Sequence, residues 1–164
     1  MKKARVLSTI CTSLLLAQAA TAQTVPTGCF ERRYTDAHLA AHPEQGVATL
    51  WLRIDADRDF PDQSSFFLRA RMSHAGQAAR DGVAGLMLFE GGTCRDEDGN
   101  CYVDCDGGSF DIVSHDGETL VIRTAGMRLT EDGCDSEHVS SLNERRDGST
   151  TYRLYRADAA ACEG

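Results

Sequence analysis

Short runs in which apolar and polar residues alternate, separated by turns rich in Asp and Gly, constrain this chain most. In the run 47–55, one face is aliphatic and the opposite face carries Trp51 and Arg53. Comparable runs lie at 64–72, 83–90, 101–105, 110–114, 119–124, 127–130 and 150–156. Period-two alternation is typical of half-buried β-strands. About eight such strands predict an all-β (or β-rich α+β) domain, a single antiparallel meander forming a small barrel or sandwich with one or two short helices.

The first 22 residues have the composition of a secretory signal peptide. Basic residues come first, an apolar run follows, and Ala20-Thr21-Ala22 fits the small-residue cleavage rule. The apolar run is shorter than the ~20 residues of a membrane span. We therefore expect cleavage after Ala22, periplasmic or secreted localisation, and no membrane span in the mature chain. Residues 23–164 are expected to form a single disulfide-stabilised β domain.

Six cysteines remain after this cleavage, an even number in an oxidising compartment, which favours three disulfides. Cys29 and Cys162 lie near the two ends of the domain, and the termini of compact domains often lie close together. Cys94 and Cys101 flank an Asp-Gly turn and can face each other across a hairpin. We therefore predict the pairs Cys29–Cys162, Cys94–Cys101 and Cys105–Cys134. A Cys101–Cys105 bond is the alternative if that segment bends sharply.

The predicted mature chain is strongly acidic. Cleavage removes Lys2, Lys3 and Arg5 from the 17 basic residues and none of the 25 acidic ones, which leaves a net charge of −11. Such a surface repels nucleic acid and anionic lipid, so we expect neither as a partner. Because no lysine follows Lys3, lysine-based catalysis and a phosphate-loop lysine are excluded. The Gly-x-Ser-x-Gly, Cys-x-x-Cys and dinucleotide-binding patterns are also absent, which indicates a non-enzymatic protein.

Two groups of residues could contact a metal. His38 and His42 share one face of a predicted helix, 37–41, which Thr35 or Asp36 would cap. Asp96 and Asp98 lie between Cys94 and Cys101 with the spacing of a calcium loop, although the ligands expected at its first and last positions are missing. We expect no cofactor, and we keep a weak divalent-cation site as the alternative interpretation of these four residues.

Arginine and aromatic residues recur on the strand faces opposite the aliphatic ones. They are Trp51, Arg53, Phe67, Arg69, Arg71, Arg153 and Tyr155. Interaction surfaces are enriched in these residue types. We therefore predict an exported β domain that binds an unidentified protein or envelope ligand through this face. An ordinary outer sheet face, in which arginine stems cover aromatic rings, is the alternative interpretation of the pattern.

Two other functions stay open at this point. A small metal-dependent periplasmic hydrolase would use the two histidines with acids of the cysteine stretch, and a structural envelope protein would bind no ligand.

Two local predictions also bear on the fold. Gly91-Gly92 should end the strand at 83–90, and residues 136–146 should form a short helix or a long loop.

Overall fold

A computed structural model of the chain describes residues 25–103, 106–144 and 148–163. The predicted signal peptide, 1–22, lies outside these residues. The strands are β1 (Gly28–Arg33), β2 (Val47–Ala56), β3 (Gln63–Met72), β4 (Met87–Arg95), β5 (Asn100–Tyr102), β6 (Ser109–His115), β7 (Thr119–Ala125), β8 (Arg128–Thr130), β9 (Val139–Ser141) and β10 (Thr150–Ala157). The helices are α1 (Asp36–Ala41) and α2 (Gly76–Arg80), and a 3-10 turn, Ala159–Cys162, follows β10.

Eight of the strands form a closed antiparallel barrel. Their order is β3-β2-β1-β10-β7-β6-β5-β4, and a β3–β4 pairing closes the ring. Neighbours along the chain are therefore neighbours in the sheet, except that β8 and β9 intervene between β7 and β10. These two strands form a hairpin that attaches to β4 where Thr130 pairs with Phe89. The predicted all-β meander is confirmed, and it closes as a barrel.

Alternating side chains fill the inside of this barrel. The largest fully buried ones are Phe30, Leu50, Leu52, Ile54, Leu68, Met72, Leu88, Phe110, Leu120, Ile122, Met127 and Tyr152. An eight-stranded barrel is just wide enough for side chains to fill its interior or for one small ligand. Here the Phe66 and Phe110 rings, both part of the core, meet edge to face with centroids 5.0 Å apart.

The two ends of the barrel differ. At the first end, where β1 ends and β2 begins, lie α1, α2 and the β8–β9 hairpin. The buried side chains of Ala78, Val83 and Leu142 pack there against the core. The second end carries short turns, including the β4–β5 turn 96–99. A strand of nine residues separates the two ends along β4.

Two local predictions are wrong. Strand β4 begins at Met87 and continues through Gly91-Gly92 to Arg95, since the small glycines let β5 approach closely. A Cβ on Gly92 would lie 2.1 Å from the Tyr102 carbonyl oxygen. The helix predicted for 136–146 does not form in the part that the structure describes, 136–144, where strand β9 interrupts irregular chain: β9 pairs with β8, and Ser140 donates a 2.7 Å hydrogen bond to Asp81.

Two disulfides match the predicted pairs. Cys29 is bonded to Cys162 across 133 residues, and Cys94 is bonded to Cys101 across the β4–β5 turn. Cys134 is also disulfide-bonded. Cys105 lies outside the described residues, so the Cys105–Cys134 pair stays a prediction.

Candidate ligand site

The predicted arginine and aromatic residues of β2 and β3 do share the outer face of the barrel. The register pairs Trp51 with Arg69 and Arg53 with Phe67 across these strands. On the other side, Trp51 pairs with Glu31 of β1, and Arg69 pairs with Phe89 of β4. One row of facing side chains therefore crosses four neighbouring strands.

The centre of this row is covered by the C-terminal turn. Trp51 is only 8% exposed and packs in a small cluster with Cys29 and Cys162, which the disulfide joins. The Arg69 guanidinium lies 4.8 Å from the indole centroid and donates a 3.0 Å hydrogen bond to the Ala161 carbonyl oxygen. Trp51 and Arg69 thus hold the end of the chain against the barrel and are not presented to solvent together.

The rest of the outer face is more accessible. The Phe67 and Phe89 rings are half-buried, with centroids 6.0 Å apart, and Arg71 is exposed beside them. Arg53 forms a 2.9 Å salt bridge with Asp55 on its own strand. This part of the face joins two half-exposed aromatic rings to an exposed arginine.

The remaining predicted binding residues, Arg153 and Tyr155, lie where the barrel wall is incompletely paired. The β1–β10 ladder has three residue pairs and ends at Glu31–Tyr155. Strand β10 continues towards the first end of the barrel along 150–154, where it pairs with β7 alone among the described residues. An opening therefore separates β1 from β10 near this end, and Arg153, on the exposed face, lies at its outer edge.

Aromatic, charged and amide side chains lie around this gap, which we call the β1–β10 opening. They are Arg32, Tyr34, His38, Gln45, Glu144, Tyr152 and Tyr155. A hollow of about 270 Å³ lies next to Glu144, and its other lining residues are Gly148, Ser149 and Thr150. The mixture of aromatic rings and polar groups contrasts with the aliphatic interior below it.

A column of stacked groups forms one side of the opening. The Arg32 guanidinium lies 4.8 Å from the Tyr34 ring centroid and 5.6 Å from that of Tyr155. The Tyr34 ring stacks on His38 at 4.7 Å, and His38 stacks on His42 at 4.0 Å. Cation–π contacts of this kind hold a guanidinium in place without neutralising it. Because α1 has no buried residue, this stack and the Thr35 cap are its main attachments.

Gln45 and Tyr152 form the inner wall. Gln45 is 4% exposed, and its side chain is a hydrogen-bonding neighbour of the Tyr152 hydroxyl. The Tyr152 hydroxyl, which lies close to this amide, donates a 2.6 Å hydrogen bond to the Leu142 carbonyl oxygen. Gln45 and Tyr152 therefore form one buried polar pair.

The pKa shifts agree with this arrangement. Burial, helped by Tyr34 and Glu144 and opposed by a hydrogen bond from Gln45, raises the pKa of Tyr152, so its hydroxyl stays protonated. Burial also raises the pKa of Tyr34, while Arg32 opposes and Glu144 supports the increase. Loss of hydration, with His42 and Arg32 nearby, lowers the pKa of His38 and favours the neutral imidazole. Arg32 and Glu144 therefore both influence the pKa of Tyr34 and the pKa of His38.

The proposed metal ligands are not brought together. His38 and His42 lie on α1 at the first end, whereas Asp96 and Asp98 lie in the β4–β5 turn at the second end. Asp98 pairs with Arg95 at 2.6 Å, and Asp96 accepts a 3.0 Å hydrogen bond from Ser64. Within the described parts of the chain, no three His, Cys, Asp or Glu side chains form a group that could hold a metal ion.

Sequence reasoning missed most of the opening. Of its lining, only His38 and Tyr155 were candidates, and for two unrelated sites. Arg32 lies near the end of a strand too short to show alternation, Tyr34 follows that strand, and Gln45 lies in the loop that leads into β2. Their proximity depends on where the β1–β10 ladder ends, which no local pattern records.

The comparisons with known proteins leave the family open. No protein-family model matches the chain, and no curated protein matches it. A solved structure entitled "The Siderocalin Ex-FABP functions through dual ligand specificities" aligns with a TM-score of 0.40 and 13% identity, covering 80% of this chain and 73% of that one. A likeness this weak supports no inference about ligand or function. Among the described residues, no helix is long and apolar enough to span a membrane.

Proposed function

We propose that the chain is an exported, non-enzymatic binding protein that takes a small ligand at the β1–β10 opening. The carrying observation is the early end of the β1–β10 ladder at Glu31–Tyr155, beyond which the Arg32 guanidinium lies near the Tyr34 and Tyr155 rings. Small-ligand sites combine apolar or aromatic walls with a few convergent polar groups. The opening offers this combination, with the rings of Tyr34 and Tyr155 beside the Arg32 guanidinium.

Export is part of the proposal. The disulfides Cys29–Cys162 and Cys94–Cys101 support an oxidising compartment, because such bonds are rare in the cytosol. We propose that residues 1–22 act as a signal peptide and that 23–164 form the single mature domain. Mass spectrometry of the exported protein should find a chain that starts at Gln23.

The outer face is a second candidate surface, for a protein or envelope ligand. Phe67, Phe89 and Arg71 support it, since half-exposed aromatic rings beside an exposed arginine are typical of interaction surfaces. Trp51 and Arg69 would act there as supports and not as contact residues, because the C-terminal turn covers them.

Two-dimensional ¹⁵N NMR of the mature chain with a fragment library tests the proposal. We expect saturable shifts that cluster at Tyr34, His38 and Tyr155. Shifts confined to Phe67 and Arg71 would favour the outer face instead. The absence of any saturable shift would contradict both and favour a structural envelope protein. Hydrolysis of a test substrate by the purified protein, abolished by a chelator, would support the metal-dependent hydrolase alternative.

A further inference from the structure

The described chain presents aromatic side chains at two places on its outer surface, and the charges beside them are opposite. One place is the loop 57–62 between β2 and β3, which we call the acidic knob. The other is the outer side of β3 and β4 at Phe67, Arg71 and Phe89, which we call the arginine face. We infer that the acidic knob of one copy of this chain binds the arginine face of a second copy. This self-association goes beyond the proposed small-ligand site and does not depend on it.

Phe60 is the aromatic residue of the acidic knob. It is 57% exposed, more than any other large apolar residue that the structure describes. The loop reads Asp-Arg-Asp-Phe-Pro-Asp, so three carboxylates and one guanidinium accompany the ring. Removing an exposed ring from water is favourable. The knob therefore gains free energy when it docks on an apolar surface whose charge is opposite to its own.

Hydrogen bonds hold the acidic knob in one shape. The Asp57 carboxylate accepts the backbone N–H groups of Asp59, at 2.8 Å, and Phe60, at 3.2 Å. The Gln63 N–H donates to the Phe60 carbonyl oxygen at 3.0 Å, which closes the loop onto the start of β3. A loop ordered in advance loses less conformational entropy on binding. Because Asp57 serves this turn, the exposed Asp59 and Asp62 supply the outward charge.

The arginine face offers two rings and a guanidinium. Phe67 and Phe89 are half-buried, with ring centroids 6.0 Å apart. A Cβ on Gly91 would lie 3.8 Å from the Phe67 Cδ2 atom, so the Phe67 ring lies beside this glycine, where no side chain projects. Arg71 is exposed on the same side of β3 as Phe67. Aromatic rings and arginine are the residue types that contribute most to binding at protein interfaces, and both attract the ring of Phe60.

Carboxylates are scarce on this side of the barrel. Three rows of facing side chains cross β1 to β4 here, and their β3 members are Phe67, Arg69 and Arg71. Glu31 is the one acid in these rows, and Arg33 and Trp51 already donate hydrogen bonds to it. The whole sequence nevertheless has a net charge of −8, or −11 without the predicted signal. A local excess of positive charge on such a chain favours an acidic partner surface.

Unneutralised charges remain on both surfaces. Arg71 joins no ion pair with another described residue, and its Nη1 donates a long hydrogen bond, 3.4 Å, to the Gly85 carbonyl oxygen. Asp59 likewise has no ionic partner in the parts of the chain that the structure covers, whereas Asp55 nearby pairs with Arg53. Each surface therefore keeps the charge that the other would neutralise.

The positions of the two surfaces favour a closed dimer. The knob directly precedes Gln63, the first residue of β3, and Arg71 is the last residue but one. At ~3.3 Å per residue, the two ends lie about 26 Å apart, so the knob does not reach the arginine face of its own chain. A two-fold axis that sets two β3 strands in opposite directions would bring each knob to the other copy's arginine face. Both contacts would then form at once.

Sedimentation velocity of residues 23–164 over a dilution series tests this inference. Two acidic chains repel each other at long range, so we expect a monomer–dimer equilibrium that dissociates on dilution. Phe60→Ser and Arg71→Glu should each weaken the dimer about tenfold or more. The matched controls Val113→Ser and Arg128→Glu, exposed on β6 and β8, should change the dissociation constant less than about twofold. Circular dichroism checks the folding of all four.

A charge exchange tests the pairing itself. Asp59→Arg places an arginine against Arg71 in its own homodimer, and Arg71→Glu places a glutamate against Asp59 in its own. We expect each variant alone to be monomeric at concentrations at which the unaltered chain dimerises. An equimolar mixture should recover the dimer, because both contacts of the mixed dimer then join opposite charges.

Three results would overturn the inference. They are an unaltered chain that stays monomeric up to its solubility limit, a dimer that Phe60→Ser and Arg71→Glu leave unchanged, and a mixture of the exchanged variants that stays monomeric. None of these results bears on small-ligand binding at the β1–β10 opening, which the NMR titration with fragments tests separately.

Discussion

The Trp51 indole Nε1 donates a 3.0 Å hydrogen bond to a Glu31 carboxylate oxygen across the β1–β2 ladder. Both residues face outwards, yet Trp51 is buried because the turn 159–162 lies over it. The outer face of this barrel therefore holds a second, small core. It joins the first strand to the last residues of the described chain through the Cys29–Cys162 bond.

Replacing Trp51 should destabilise the fold strongly. Trp51→Ala removes a buried indole and is expected to lower the free energy of unfolding by about 3–5 kcal/mol. Phe67→Ala, on the neighbouring strand, is the control and should cost less than half as much because that ring is half-exposed. Urea unfolding measures both. Equal costs would show that the C-terminal turn does not cover Trp51 in solution.

Removing the long-range disulfide should expose this small core. Cys29→Ala with Cys162→Ala opens a loop of 133 residues, which the chain-entropy model values at about 5 kcal/mol. Because Trp51 is the single tryptophan, its fluorescence emission reports on the turn directly and should shift to longer wavelength. Removing Cys94 and Cys101 instead should leave the emission of the folded protein unchanged. A red shift in both variants, or in neither, would contradict this assignment.

The pKa of His38 offers a test of the stacked column. Its folded pKa is lowered by lost hydration and by His42 and Arg32, with Glu144 opposing. The attachment of α1 is therefore stabilised above the unfolded pKa of about 6.5 and is lost as the pH falls through the folded value. An NMR titration should give His38 a pKa below that of an ordinary histidine, and Arg32→Gln should raise this pKa. A His38 pKa at or above that of an ordinary histidine would contradict the stacking of His38 between Tyr34 and His42.

Two adjacent glycines of β4 should respond differently to the same substitution. In Gly92→Ala, the new methyl group would meet the Tyr102 carbonyl oxygen at 2.1 Å, so β5 must move. We expect a loss of about 1–3 kcal/mol or more, as in other overpacked sites. Gly91→Ala places its methyl group 3.4 Å from the nearest atom and should change stability by about 0.5 kcal/mol or less. Urea denaturation compares them, and equal losses would argue against the β4–β5 contact.

Most of the fold could be predicted from the sequence, because it depends on local alternation. The runs around Leu52 and Leu68 and the turn at Asp116-Gly117 each carry their own signal. The interpretation of Gly91-Gly92 was wrong because glycine can mark either the end of a strand or a close approach by another backbone. Only the position of Tyr102, which lies against Gly92, decides between the two.

The site was less predictable, because it depends on where the pairing between β1 and β10 ends, at Glu31–Tyr155. Alternation correctly placed Trp51 on the outer face, but the turn that covers it begins more than 100 residues later along the chain. Arg32 gains its role from the early end of β1–β10 pairing and from Tyr155, which is 123 residues away in sequence. Such contacts between distant segments leave no periodic pattern in either segment.

The comparison of Arg32→Ala with Arg33→Ala tests the central claim most directly. The two arginines are adjacent on β1, but one faces the β1–β10 opening and the other lies on the outer face beside Glu31. Affinity for any small ligand found by NMR should fall at least tenfold in Arg32→Ala and less than twofold in Arg33→Ala, with folding of both checked by circular dichroism. Unchanged affinity in Arg32→Ala, or an equal loss in both variants, would contradict a binding site at this opening.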